Sequence, residues 1–144
     1  MTVRYFVDTN VLVYARDSGE PAKQPVAAEW LNYLWKSRNG RLSLQVLQEF
    51  YNIVTRKLQP GLATDQARAD IRDLMEWRPA EVDSTILIAA WRIEDRFGLS
   101  WWDSLIVAAA QKLDCQYLLS EDLQHGQQID ALTIVNPFQT AVPS

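Results

Sequence analysis

Cysteine and histidine are almost absent from this chain of 144 residues, which contains one residue of each type, Cys115 and His125. A single cysteine forms no disulfide within the chain, and a zinc cluster needs several Cys or His ligands. A lone thiol usually packs as a small hydrophobe, and a lone histidine in a polar segment is typical of a surface loop. The sequence therefore excludes a disulfide framework and a zinc cluster, and it disfavours a catalytic cysteine.

Positively charged residues are also fewer than negatively charged ones. The chain has 14 Lys and Arg residues against 18 Asp and Glu residues, which gives a net charge of −4. Proteins that bind nucleic acid passively usually carry a basic surface, so the composition disfavours a simple nucleic-acid-binding module. An enzyme is not excluded, because bound divalent cations can supply the positive charge that the protein lacks.

Long hydrophobic runs, repeats and linkers are missing. Three consecutive apolar residues precede Asp8, too few for the apolar region of a signal peptide, and no later stretch is long enough to cross a bilayer. We therefore expect a cytoplasmic protein without a membrane partner. Because no repeat or Pro/Gly/Ser-rich linker divides the chain, we predict one domain over residues 1–138 and a short tail over residues 139–144.

The sequence does contain an alternation of strand and helix patterns. Short apolar runs predict buried strands at 5–7, 117–120 and 132–135. Apolar residues at helical spacing, bounded by caps and turns, predict helices near 9–14, 21–39, 46–58, 64–77, 84–97 and 101–113. Segment 41–44 fits a short strand or the start of a helix, and segment 81–83 fits a strand end. Together these patterns predict an α/β fold with a mostly parallel sheet covered by helices on both faces.

Two acidic residues follow predicted strands. Asp8 comes directly after the first apolar run, and Asp122 comes two residues after the run that ends at Ser120. In open α/β sheets, ligands bind outside the carboxyl ends of the strands, so acids at that edge favour a binding site. Taken singly, each acid is better explained as a helix cap or a solvated turn residue.

Two further acids lie on apolar helix faces. Glu49 projects within about 60° of Val46 and Ile53 on the helical wheel, and Asp103 lies within about 40° of Val107. Glu49 could instead reach out to pair with an arginine, and Asp103 fits the capping box that begins at Ser100. Neither position decides between a structural and a functional role.

The four acids together favour a functional site more than any one of them does, because two strand ends and two inward helix faces can open onto one cleft. Carboxylates in one cleft repel each other and raise each other's pKa unless a cation neutralises them. Oxygen-only ligands suit Mg²⁺ or Mn²⁺, which usually keep water ligands and are completed by substrate phosphates. This pattern predicts hydrolysis of a phosphate ester.

Four segments of the chain resemble the PIN-domain ribonucleases, and their order and spacing fit that family. These segments are FVDTNVL at 6–12, QEF at 48–50, WDSLIVAA at 102–109 and LSED at 119–122. The resemblance extends from the first strand to residues 136–138, nearly the whole chain. A single domain without appendages is most similar to the VapC-type toxins of bacterial toxin–antitoxin pairs.

The resemblance implies a PIN-like fold and a metal-dependent endoribonuclease. The residues that match the family's acidic quartet are Asp8, Glu49, Asp103 and Asp122. Asp8, Asp103 and Asp122 are expected to ligate one or two Mg²⁺ or Mn²⁺ ions that activate a water for attack on an RNA phosphodiester. Glu49 is expected either to ligate a second ion or to accept the proton of that water.

Three polar residues, Thr9, Asn10 and Ser120, match positions that flank the quartet in the family. The resemblance implies that they orient ligands or water, although each also fits a cap or a turn. It further implies a homodimer, an RNA substrate and a small antitoxin protein whose tail occupies the cleft.

Other interpretations remain open at this stage. A phosphatase or receiver domain could use Asp8 as a phosphate acceptor, but such phosphatases usually carry a second acid where this chain has Asn10. A PIN-like module that binds RNA or protein without cutting is the main alternative. Trp101 and Trp102, beside Asp103, fit either core anchors or a base-stacking surface.

Overall fold

The computed structural model describes residues 3–144, so the first two residues of the predicted domain, Met1 and Thr2, lie outside the described residues. Within that range, six α-helices flank one five-stranded sheet. The predicted α/β class and the mostly parallel sheet are therefore confirmed. None of the helices in residues 3–144 combines the length and the apolar character needed to cross a membrane.

The sheet is parallel except at one edge. Its strands, in chain order, are β1 Tyr5–Val7, β2 Gly40–Arg41, β3 Tyr117–Leu119, β4 Gln128–Ile129 and β5 Leu132–Val135. In space the order is β2-β1-β3-β5-β4, and only β4 runs antiparallel to its neighbour β5. β1 and β3 lie side by side, although 109 residues separate Val7 from Tyr117 in the chain.

Four of the six α-helices begin at a residue whose side chain caps the first turn. The helices are α1 Thr9–Arg16, α2 Gln24–Ser37, α3 Leu44–Asn52, α4 Thr64–Leu74, α5 Ser84–Phe97 and α6 Trp101–Lys112. Asp8, Ser43, Asp83 and Ser100 each accept a hydrogen bond from a backbone N–H in the first turn of the helix that follows. Gly98 ends α5 in the left-handed conformation that a glycine adopts without strain (φ 68°).

The core explains why the strands read as continuous apolar runs. The side chains of Phe6, Leu118 and Ile134 on three neighbouring strands are completely buried. A parallel sheet covered by helices needs such runs, because both of its faces are shielded from water. Near the chain end, the indole N–H of Trp30 donates to the carbonyl oxygens of Pro137 (3.1 Å) and Thr140 (3.3 Å).

The third helix differs from the prediction of one continuous helix over 46–58. After Asn52 the chain continues as a π-helical segment over Ile53–Lys57. The carbonyl oxygen of Val54 accepts from the N–H of Leu62 (2.8 Å), and the N–H of Leu58 turns instead to the carbonyl of Ile53 (2.9 Å). A contact made after the turn at Pro60 and Gly61 thus widens the last helical turn.

One strand prediction differs from the structure, and one strand was not predicted. Segment 81–83 is not a strand, and the isolated parallel bridge between Ser43 and Ala80 lies just before it. The two-residue strand β4 was not predicted, since its sequence, Gln128 and Ile129, is too short to show an alternating pattern. It forms because it folds back on β5. Of the two alternatives for segment 41–44, Gly40–Arg41 forms strand β2 and α3 starts at Leu44.

Candidate functional site

Parallel pairing of β1 with β3 brings the two strand-end acids together. In the register of these strands, Val7 lies opposite Leu119, and the N–H of Asp8 donates to the carbonyl of Leu119 (3.0 Å). The residues that follow each strand, Asp8 on one side and Ser120 to Asp122 on the other, therefore emerge at the same edge of the sheet. This is the edge at which open α/β sheets bind ligands.

A hydrogen-bond network connects Asp8 to the loop after β3. The hydroxyl of the buried Ser120 donates to Oδ2 of Asp8 (2.8 Å) and accepts from the backbone N–H of Asp122 (3.2 Å). The amide Nδ2 of Asn10 lies 3.2 Å from Oδ2 of Asp8 and 3.2 Å from Oδ2 of Asp122. Asn10 and Ser120 thus place donors between two carboxylates, and this offsets part of their repulsion.

Glu49 reaches the same place from α3. The hydroxyl of Thr9 donates to Oε1 of Glu49 (3.3 Å), and the backbone N–H of Thr9 donates to Oδ1 of Asp8 (2.8 Å). Thr9 therefore holds one carboxylate through its side chain and another through its backbone. All three polar residues that the sequence placed beside the acids contact them directly.

Asp103 stands in the first turn of α6. Its backbone N–H donates to the hydroxyl of Ser100 (3.1 Å), which is the N-cap of the helix. Every residue from Ser104 to Ala110 is buried, so the helix is fixed by packing, and its N-terminus opens onto the cleft. The positive end of the helix dipole favours a carboxylate at this point.

The four acids line one cleft of about 360 Å³, together with Asp17 and Glu20. Of these, Asp8 is buried, Glu49 and Asp103 are half-buried, and Asp122 is exposed. Within the described part of the chain, none of the residues that line the cleft is a lysine or an arginine. The cleft is therefore strongly negative unless a cation enters it.

Burial raises the pKa of three of these carboxylates. Burial raises the pKa of Asp8 to about 7, the charges of Asp103 and Asp122 add to the rise, and hydrogen bonds from Ser120 and Thr9 oppose it. Burial also raises the pKa of Glu49 against hydrogen bonds from Gln45 and Thr9, and the pKa of Asp103 against one from Ser100. Without a cation, the cleft favours protonation of its acids.

The donor atoms of the cleft suit a hydrated divalent cation. Within residues 3–144, no group of three or more His, Cys, Asp or Glu side chains is arranged to hold a metal ion by itself. Mg²⁺ commonly keeps several water ligands and takes one or two carboxylates from the protein. The cleft thus fits an ion that keeps much of its water, rather than an ion enclosed by protein ligands.

A second cluster, not recognised in the sequence, secures the loop between Ser120 and Asp122. Glu121 accepts from the hydroxyl of Tyr14 (2.6 Å) and from Nζ of Lys23, and its backbone N–H donates to Oδ1 of Asn10 (3.1 Å). Although partial burial acts in the opposite direction, the bonds from Lys23 and Tyr14 lower the pKa of Glu121. Lys23 stands 98 residues from Glu121, so no local pattern could have indicated this contact.

Gln45 is the other residue that the sequence reasoning missed. It lies one helical turn before Glu49, lines the cleft, and donates from Nε2 to the carbonyl oxygen of Trp102 (3.3 Å). Its position four residues before Glu49 places it on the same helix face, and this spacing was the signal available. His125 lies outside the cleft lining, and its Nδ1 accepts from the backbone N–H of Asn136 (2.9 Å).

The raised pKa of Asp8 predicts how the metal-free protein responds to pH. Between the ordinary pKa of 3.8 and about 7, the native state keeps a proton that the unfolded state has lost. Stability in EDTA should therefore fall as pH rises across this range, by an amount on the order of a few kcal/mol. Asp8→Asn removes this titration, so its stability should change less between about pH 5 and pH 8.

Urea unfolding in EDTA at several pH values measures this difference. Asp95→Asn, which changes an exposed acid on α5, is the matched control and should keep the pH dependence of the wild type. An Asp8→Asn curve parallel to that of the wild type would show that Asp8 is not the group responsible.

Comparison with known proteins agrees with this architecture. A family model for the PIN domain matches residues 5–128, whereas none of the curated proteins matches the chain. The crystal structure of Mycobacterium tuberculosis VapC20 (Rv2549c), a sarcin-ricin loop cleaving toxin, is similar at a TM-score of 0.63 and 25% identity, over 82% of this chain and 91% of that one.

VapBC2 from Rickettsia felis, solved with a DNA fragment from its promoter, has the same fold at a TM-score of 0.61 and 16% identity. The match covers 92% of this chain and 97% of that one. Two VapC-type proteins are thus among the structural neighbours, and the family match covers most of the chain. The chain therefore belongs to the PIN domain family.

Proposed function

We propose that the protein is a metal-dependent endoribonuclease and the toxin of a toxin–antitoxin pair. The observation that carries this proposal is the convergence of Asp8, Glu49, Asp103 and Asp122 from four separate segments on one cleft. Membership of the PIN domain family and the likeness to VapC20, whose name describes an RNA-cleaving toxin, support RNA as the substrate.

Asp8, Asp103 and Asp122 are the proposed ligands of one or two Mg²⁺ or Mn²⁺ ions. When bound, such a cation supplies positive charge to the scissile phosphate and makes water a stronger nucleophile. The half-buried Glu49, whose pKa is raised by burial, is the proposed acceptor of the water's proton. Thr9 orients Glu49 through its hydroxyl, so the proton acceptor has a fixed position.

Asn10 and Ser120 orient the proposed ligands. Each donates a hydrogen bond to Oδ2 of Asp8, and Asn10 also donates to Asp122. A carboxylate whose position is fixed before the ion arrives loses less conformational freedom on binding. Glu121 also helps to fix the position of Asp122, because its bonds to Tyr14 and Lys23 hold the loop that carries this ligand.

Protein partners form part of the proposal. The family supports a cognate antitoxin that closes the acidic cleft and a second copy of the chain as dimer partner. An acidic cleft without a lysine or arginine among its described lining residues would be complemented by a basic segment of the antitoxin. The proposed toxin would then be active only when this segment is withdrawn.

We first predict that RNA cleavage requires a divalent cation. Purified protein should cut a varied pool of RNA with Mg²⁺ or Mn²⁺, stop in EDTA, and leave 5′-phosphate and 3′-hydroxyl ends, because water is the nucleophile. Asp8→Asn should lose the activity, and Asp95→Asn should keep it. Ends with a 2′,3′-cyclic phosphate would contradict the mechanism, and binding without cleavage would favour a silent PIN-like module.

The variant Asp103→Asn tests whether Asp103 is a metal ligand or only a structural cap. In EDTA the variant should be more stable than wild type by about 0.5–2 kcal/mol, because a repelled charge is removed and the backbone bond to Ser100 remains. Mn²⁺ should reverse this order, since an ion that binds the native site stabilises it by mass action.

Calorimetry with EDTA and then with Mn²⁺ measures both effects, and Asp95→Asn should respond to Mn²⁺ as the wild type does. If Asp103→Asn melts several degrees lower in EDTA and gains as much from Mn²⁺ as the wild type, Asp103 is a cap and not a ligand.

Expression in a bacterial host tests the toxin assignment. The wild-type chain, expressed without a partner, should arrest growth because cleaved RNA stops protein synthesis, whereas Asp8→Asn should not. Growth curves and immunoblots at matched protein levels measure the difference, with Asp95→Asn expected to arrest growth. Equal arrest by Asp8→Asn would separate toxicity from the carboxylate cleft.

A further inference from the structure

Trp102 is exposed in a way that the fold does not require. At 64% exposure it is the most exposed large apolar side chain in residues 3–144. It precedes Asp103 in the first turn of α6 and lines the carboxylate cleft. An exposed indole beside a cluster of acids does not add to the core, and its face is accessible to a ligand.

A second hollow adjoins the cleft at Trp102. This groove of about 370 Å³, called the Trp102 groove below, is lined by four apolar residues, Leu44, Val82, Trp102 and Leu105, and by three polar ones, Gln45, Gln48 and Glu81. Trp102 and Gln45 line both the groove and the cleft. A mostly apolar hollow of this size, with a few polar groups in its lining, is typical of a small-ligand site.

Gln45, in the wall between the two hollows, has an unsatisfied acceptor. The residue is 9% exposed, and its Oε1 is buried without a hydrogen-bond partner. Turning the amide over would not help, because Oε1 would then face the carbonyl oxygen of Trp102, which now accepts from Nε2. A buried acceptor without a donor is costly, and a ligand N–H would satisfy it if the side chain turned towards the groove.

We propose that the Trp102 groove binds an unpaired nucleobase next to the scissile phosphate, with Trp102 as its stacking surface. The proposal rests on the proposed nuclease function and adds a base-binding site to it. The ligand has the right chemistry, because a nucleobase has an aromatic face for Trp102 and N–H groups for Gln45. Its neutral ring also avoids the repulsion that the acidic cleft exerts on phosphate.

The charge of the cleft strengthens this assignment. Since none of its described lining residues is a lysine or arginine, direct ion pairs with phosphate do not contribute to RNA affinity there. Stacking on an exposed indole supplies affinity that depends little on charge. A base inside a duplex is not accessible for such stacking, so the preferred RNA is single-stranded at the cut.

The test compares variants of Trp102 on RNA with and without the base in question. Cleavage positions are first mapped in a pool of random single-stranded RNA with Mn²⁺. One cleaved RNA is then made again with an abasic residue on either side of the cut. Trp102→Leu should lower kcat/KM on intact RNA by about 5- to 100-fold, mainly through KM, whereas Trp102→Phe should retain most of it.

The abasic substrates show whether Trp102 and the base act together. At one of the two positions, removing the base should lower the kcat/KM of the wild type about as much as Trp102→Leu lowers it on intact RNA. The same removal should lower the kcat/KM of the Trp102→Leu variant little further. Trp91→Leu is the matched control, because Trp91 is 55% exposed on α5 and lines neither hollow. It should behave as the wild type on every substrate.

Two results would overturn the base site. One is a kcat/KM of Trp102→Leu on intact RNA equal to that of the wild type. The other is a fall in kcat/KM on each abasic substrate that is the same for the wild type and for Trp102→Leu. If the wild type cuts no RNA, anisotropy of the same labelled pool with Mn²⁺ decides. Weaker binding by Trp102→Leu than by Trp91→Leu would then keep the base site and reject the nuclease. Equal binding by the two variants would reject the base site as well.

Discussion

The parallel register of β1 and β3 is the constraint on which the cleft depends. Both strands are three residues long, and they pair so that Asp8 and Ser120 emerge together. Phe6 and Leu118 are completely buried, so a shift of one residue would move each side chain to the other face, into space packed for a different side chain. The apolar faces of the strands thus fix the position of the acids, although these acids lie outside the strands.

This placement has an electrostatic cost that neighbouring residues reduce. Six carboxylates line the cleft, and Asp8 is buried among them. Hydrogen bonds from Ser120, Asn10 and the backbone of Thr9 stabilise its charged form, yet burial still raises its pKa to about 7. Carboxylates whose burial and mutual repulsion are offset only in part are typical of a functional site, where lower stability accompanies the ability to bind a ligand.

Much of the fold and of the candidate site could be predicted from the sequence because the relevant signals are local. An apolar run followed by Asp8, and a charged residue such as Glu49 on an apolar helix face, are visible within a single turn or strand. The strand β4 and the π-helical segment over Ile53–Lys57 could not be predicted, because each depends on a partner elsewhere in the fold, β5 for the first and Leu62 for the second.

The contacts around the acids show the same limit. The resemblance to the PIN-domain ribonucleases pointed to Asn10 and Ser120, whereas the bond between Lys23 and Glu121 joins residues 98 positions apart. The unpaired Oε1 of Gln45 depends on the position of Trp102, 57 residues away in the chain. Patterns within one helix or strand, together with the family resemblance, therefore point to the candidate acids, and tertiary packing alone shows what supports them.

The acidic cleft and the Trp102 groove suggest how an acidic protein can bind RNA at a cleft whose described lining contains no lysine or arginine. In the proposed arrangement, a divalent cation neutralises one phosphate, and Trp102 contacts one base. Because the described lining of the cleft contains no lysine or arginine, contacts there would release few counterions, and the affinity they contribute should fall less steeply with salt than that of a basic binder. Such binding would select among RNA sites, since a phosphate would be positioned for cleavage only where an unpaired base lies beside it. The net charge of −4 then contributes to specificity, because it weakens attraction to RNA that offers no such base.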